Sequence, residues 1–195
     1  MNDDVVLTRK FDHLYDIIKT DTFLDMHALG GEIPFFITTF APQQQVPVDS
    51  HISALKNKLN THGVPVLELN LFDLCLDILR ARHLLDKTIE MEPTVPKERL
   101  LNMLRMPLDV EHNLIPEIAR RINSFDGKVV FLTGIGLVFP YIRSHTILNN
   151  LQSTIKKIPM IMFFPGSYDG HSLTLFDRLK DDNYYRAFIL DDINI

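Results

Sequence analysis

The chain has no tryptophan and a single cysteine in 195 residues. One thiol excludes an internal disulfide framework and suits a reducing compartment. Cys75 sits in the apolar run LNLFDLCLDIL, with no neighbour placed to activate it. It therefore reads as a small buried hydrophobe, not a nucleophile. Glycine is scarce as well, and the eight present never form GxxxxGKS/T or GxGxxG. Loops that cradle phosphates need closely spaced glycines and usually a lysine. Their absence argues against a standard P-loop nucleotidase or a dinucleotide enzyme. The eight histidines include no HExxH pair, so no zinc site is expected. No apolar run approaches the ~18 residues of a membrane span. The amino end, MNDDVVLTRKFDHLYDI, is acidic before it is apolar, unlike a signal peptide. A soluble, cytoplasmic protein is expected. Positive charge is also in deficit: the net charge of -5 lowers the case for a general nucleic-acid binder.

Apolar residues make up 46% of the chain, enough for a sizeable core within one domain. The chain alternates between two kinds of segment. Short β-branched or aromatic runs, IPFFITTFAP at 33–42, VPVLEL at 64–69, KVVFL at 128–132 and MIMFF at 160–164, read as strands. Between them, apolar residues recur at three- and four-residue intervals over 7–23, 51–59, 71–85, 98–106, 110–123 and 141–151, which is helical spacing. Asp49 or Ser50 can cap the second of these helices and Ser144 the last, and Asn70 starts the third. Residues 87–97, with Pro93 and Pro96, read as a break. A short helix over 173–179 and a last strand over 185–190 complete the order. Continuous apolar strands mark a parallel sheet covered on both faces. The expected fold is α/β: a three-layer α/β/α sandwich around a mostly parallel sheet of about five strands, lacking a standard P-loop. It forms a single domain over 1–195, with a helical amino-terminal segment at about 7–27 and a helical insertion at about 84–123.

On such sheets ligands gather outside the carboxyl ends of the strands. Two loops there draw the eye. The first reads TGIGLVFPYIRSH, where Arg143 and His145 sit near a helix amino end that attracts anions. A structural turn, with Arg143 paired to a nearby aspartate, is the stronger reading. The second, FFPGSYDGHSLTLFD, makes two consecutive turns. Ser167, Asp169 and His171 are triad residue types, but they are crowded into one short loop without a GxSxG elbow, so recognition or structure outweighs catalysis. The pairs Asp181-Asp182 and Asp191-Asp192 could hold a metal but read as ordinary acidic termini. Arg120 and Arg121 read as local, favourable charges at a helix carboxyl end. Arg80, Arg82, Lys156, Lys157, Arg178 and Arg186 are too scattered for a phosphate-tracking stripe. Tyr184 and Tyr185 read as packing residues before base-stacking ones.

Taken together, VFPYIRSHTILNNL, FFPGSYDG and NYYRAFIL closely resemble the BrxB family of bacteriophage-exclusion (BREX) systems, over nearly the whole chain. The resemblance implies a cytoplasmic, non-enzymatic accessory or adaptor subunit of a phage-defence complex, without a cofactor. It would assemble or position the phosphatase-like, ATPase or methyltransferase components. The implied partner is foremost the alkaline-phosphatase-like protein, with DNA reached only indirectly. The alternative is a nucleotide- or nucleic-acid-binding subunit of the same system. No catalytic residue carries over. The positions matching the family's motifs, and thus the expected partner or ligand surface, are Arg143, His145, Asn149, Gly166, Tyr168, Asp169, Gly170, Tyr185 and Arg186.

Overall fold

A computed structural model describes residues 3–25, 34–155, 158–181 and 185–193. Five parallel strands run side by side in the order β2-β3-β4-β1-β7: β1 Phe35–Phe40, β2 Val66–Asn70, β3 Val129–Thr133, β4 Met160–Tyr168 and β7 Phe188–Ile189. The register sets Phe131 beside Ile161, and Ile161 beside Phe36. All five residues of β3 are buried, because helices cover both faces. This is the three-layer α/β architecture that the apolar runs imply.

Alternate strand residues feed two separate cores, as a two-residue side-chain period requires. On one face Phe36, Phe131, Ile161 and Phe163 meet α1 (Asp3–Ile18) and α3 (Gln45–Thr61). Phe11 stacks between His51 and Phe163, at 5.0 and 6.1 Å between centroids. On the other face Ile37, Leu132, Met162 and Phe164 meet α4 (Leu71–Ala81), α6 (Lys97–Arg105), α7 (Ile115–Asn123) and α8 (Ser144–Thr154). The single thiol, Cys75, is buried here, and burial pushes it up to about 12. It is a core residue, as its apolar setting implies.

Several boundaries differ from the sequence expectation. The first helix stops at Ile18, because Thr20 caps a separate turn, α2 (Asp21–Leu24), by accepting from the Phe23 amide at 3.3 Å. Residues 26 and 27 of the expected helix and Ile33 of the expected strand lie outside the described residues. Helix α3 starts at Gln45, not after a cap at Asp49 or Ser50. A 3-10 turn over Pro42–Gln44 runs straight into it, and Pro47 falls in the first turn, where a missing N–H costs nothing. Helix α4 starts after Asn70, whose side chain caps it by accepting from the Phe72 and Asp73 amides. That helix ends at Ala81; His83 takes φ 56° and the Leu84 amide donates back to the Leu79 carbonyl. The break expected over 87–97 begins with a helix, α5 (Leu85–Met91). A π turn over Val110–Leu114 leads into α7. The segment expected as a helix over 173–179 is a hairpin, β5 (Leu173–Leu175) and β6 (Leu179–Asp181), with β5 antiparallel to the end of β4. The last strand covers only Phe188–Ile189, and a 3-10 turn over Leu190–Asp192 follows it.

Candidate functional site

The two loops singled out in the sequence leave the carboxyl ends of β3 and β4, adjacent in the sheet. At the end of β3, Gly134 takes φ 73°, and a Cβ there would lie 2.3 Å from Asn70 Oδ1, the oxygen that caps α4. Glycine is required because the strand exit crosses the capped helix end. The chain then makes a 3-10 turn over Ile135–Val138, burying Ile135 and Val138 and leaving Leu137, Phe139 and Tyr141 exposed. Helix α8 begins at Ser144. Arg143 holds the cap position, so the cap expected of Ser144 is absent and no side chain closes the helix.

At the end of β4, Gly166 takes φ 144°, and a Cβ there would stand 2.1 Å from the Thr174 carbonyl oxygen. Only glycine lets β5 pair so closely. Asp169 then locks the turn: it accepts from the His171 and Ser172 amides at 2.8 and 2.7 Å and from Ser172 Oγ at 3.0 Å. Those bonds, first of all from the Ser172 amide, lower its carboxyl to about 2. Gly170, at φ 87°, completes the turn. Asp169 meets His171 through the backbone amide and spends both oxygens on the loop, which is the chemistry of a turn lock.

The matching tyrosines and histidine converge on a residue that sequence reasoning considered only for metal. Tyr185, 1% exposed, donates to Asp181 Oδ2 at 2.7 Å, and His145 Nδ1 lies 2.9 Å from the same oxygen. Tyr168 reaches both the Tyr185 and the Ala187 carbonyls at 3.1 Å. Gln152 Nε2 donates to the Arg186 carbonyl at 2.9 Å. Helix α8, the β5–β6 hairpin and residues 185–187 are thereby bound together. Arg143, Asn149 and Arg186 project from this assembly as exposed side chains. Asp182, Tyr184, Lys156 and Lys157 lie outside the described residues. Among the described residues no group of three metal-ligating side chains comes together, and no helix is long and apolar enough to cross a membrane. Arg120 and Arg121 take the local role: both bond Glu117, and Arg121 also bonds Asp77 at 2.8 Å.

The ridge formed by residues 137–143 separates two concavities. On one side lies a basic cleft of about 440 Å³, lined by Arg143, His145, Arg178 and Lys180. On the other is an apolar groove of about 320 Å³, walled by α4, α5, α6 and the ridge. Phe72, Ile89, Leu137 and Tyr141 stand around it, 40%, 56%, 51% and 37% exposed. Sequence reasoning missed this groove. Its residues come from segments far apart in the chain, and each looks like an ordinary member of an amphipathic helix.

A family model described as BREX protein BrxB matches residues 67–190, which include both loops, the ridge and the Asp181 network. The chain belongs to the BrxB family. A BREX protein BrxB of Bacillus cereus (strain H3081.97) is 40% identical over 190 residues, covering 95% of this chain and 98% of that protein. Another, from Escherichia coli O9:H4 (strain HS), is 31% identical over 188 residues, covering 96% and 92%. No solved structure matches the chain. Membership in the BrxB family makes this protein a component of a BREX phage-defence system. The motif residues divide into those that build the carboxyl-edge loops and those that project from them.

Proposed function

We propose that the protein is a non-enzymatic adaptor of its BREX system, cytoplasmic, and that it holds or positions other components, foremost the alkaline-phosphatase-like protein. The observation that carries this reading is the apolar groove beside the ridge. Four large apolar side chains half-exposed around one depression are what a protein-binding surface displays and what an isolated soluble surface avoids. The test is co-purification from cells expressing the whole system, washed over a broad salt range. Retention of another component is the expected result; a well-folded protein that retains none rules the adaptor out. R143A probes the exposed side of the loops without disturbing the fold. Y168A does not, since Tyr168 holds two backbone carbonyls.

One observation favours a second reading, a nucleotide- or nucleic-acid-binding subunit. Arg143, Arg178 and Lys180 line a single cleft whose carboxylate, Asp181, already bonds Tyr185 and His145. Such a cleft suits a phosphate. Titration of ATP, short duplexes and single strands at several salt concentrations decides it; absence of saturable binding removes it for the isolated protein.

A further inference from the structure

The apolar groove is longer than it is round. It shares Glu92, Leu100 and Tyr141 with a second concavity of about 460 Å³, which continues past Pro140 along Val95 and Leu101. The two form one trough between α5, α6 and the ridge. Small-molecule sites are apolar pockets that fix a ligand's orientation with a small number of precisely placed polar groups. The Thr88 hydroxyl is spent on the Leu84 carbonyl at 2.8 Å, which leaves the Tyr141 hydroxyl and the Glu92 carboxylate as the polar groups of the wall among the described residues. An elongated apolar trough fits instead the recurring anchors on one face of a helix, spaced three and four residues apart.

The rim chooses among helices by charge. Glu92 and Glu98 line the trough against a single cation, Lys97. Helix α5, which forms one wall, exposes Asp86 and Glu90 against one further cation, Lys87. Among the described residues none of Asp86, Glu90, Glu92 and Glu98 makes an ion pair. Desolvating them under an acidic or neutral partner is costly, whereas a cation above them is attracted and oriented. Resting on the adaptor reading, we infer that the trough receives an amphipathic helix of another BREX component, apolar face inward, with at least one lysine or arginine over Glu92 and Glu98.

The complex purified from cells tests this. I89D and L137D change exposed side chains, so circular dichroism and thermal midpoint should match wild type. The co-purified component should fall about tenfold with either, the effect of truncating an interface anchor. E92K should lower it by a smaller factor, about threefold, by repelling the partner's cation. A photoreactive phenylalanine analogue at Ile89 then identifies the neighbour by mass spectrometry. A cross-linked peptide with apolar residues at helical spacing and a basic residue supports the inference. A peptide without either feature, a second copy of this chain, or no cross-link within an intact complex overturns it. If wild type retains its partner and all three variants do too, the trough is wrong and the adaptor reading stands. If wild type retains nothing, the adaptor reading itself fails.

Discussion

Thr38 is a small fault in a well-packed sheet. It is buried on β1 facing the aromatic core, and its hydroxyl has no hydrogen-bond partner among the described residues. A buried hydroxyl left unpaired costs about 1–3 kcal/mol, while an apolar replacement of the same shape carries no such cost. Thr38→Val keeps the branched shape and should stabilise the protein by about 1 kcal/mol. Urea unfolding should show a higher midpoint with an unchanged slope. Glu117 behaves oppositely. Hydrogen bonds from Arg120, and then from Arg121, hold its carboxyl down to about 2, below its ordinary 4.5. Its folded value is depressed, so the associated stability is present above pH 4.5 and is lost as pH falls toward 2. Full conversion of that shift would exceed 3 kcal/mol, but Arg120 is largely exposed and solvent screens its share. Glu117→Gln should cost about 1–2 kcal/mol at neutral pH and nothing measurable near pH 2. A constant difference across that range would assign the loss to packing.

Elements were legible in proportion to how far burial dictates their pattern. β3 from Val129 to Leu132 and the first half of β4 are apolar at every position because both faces are covered, and their shortness and β-branched or aromatic content favour strand over helix. The β5–β6 hairpin was not legible. In LTLFDRL the apolar residues Leu173, Leu175, Phe176 and Leu179 satisfy two- and three-residue spacing equally well. What decides for the hairpin is that Phe176 and Asp177 adopt φ 57° and 55°, a conformation bulky side chains rarely take. Tertiary pairing with β4 imposes it. Gly166 and Asp169 were conspicuous in sequence for a related reason: they are the glycine and aspartate that this junction demands, so the motif is largely the signature of a backbone. Gly166→Ala sets a Cβ against the Thr174 carbonyl, an immovable backbone atom. It should destabilise by about 3 kcal/mol or more, combining strain with lost pairing. Amide exchange should locate the damage in residues 166–181, with β1 and β3 still protected; uniform loss of protection would instead mean that the hairpin is part of one cooperative core.

At the scale of the whole molecule, the sheet order brings the ridge after β3 between two surfaces of opposite character, one basic and one apolar with an acidic rim. That juxtaposition joins residues from 72 to 180 and is invisible before the chain is folded. It also makes the two functional readings separable by salt alone. The Debye length falls from about 10 Å at 0.1 M salt to about 3 Å at 1 M, so attraction to the exposed arginines of the cleft is largely screened at the higher value. Burial of Phe72, Ile89, Leu137 and Tyr141 loses nothing, because apolar association does not depend on charge. An adaptor anchored in the trough should therefore retain its partner at 1 M sodium chloride, while associating with it more slowly once steering by the acidic rim is screened. A phosphate held by Arg143 and Arg178 should be released, with affinity falling steeply as the logarithm of salt rises. Dissociation rates measured across that range decide between them: a rate nearly independent of salt assigns the interaction to the trough, and a rate that climbs with each increment assigns it to the cleft.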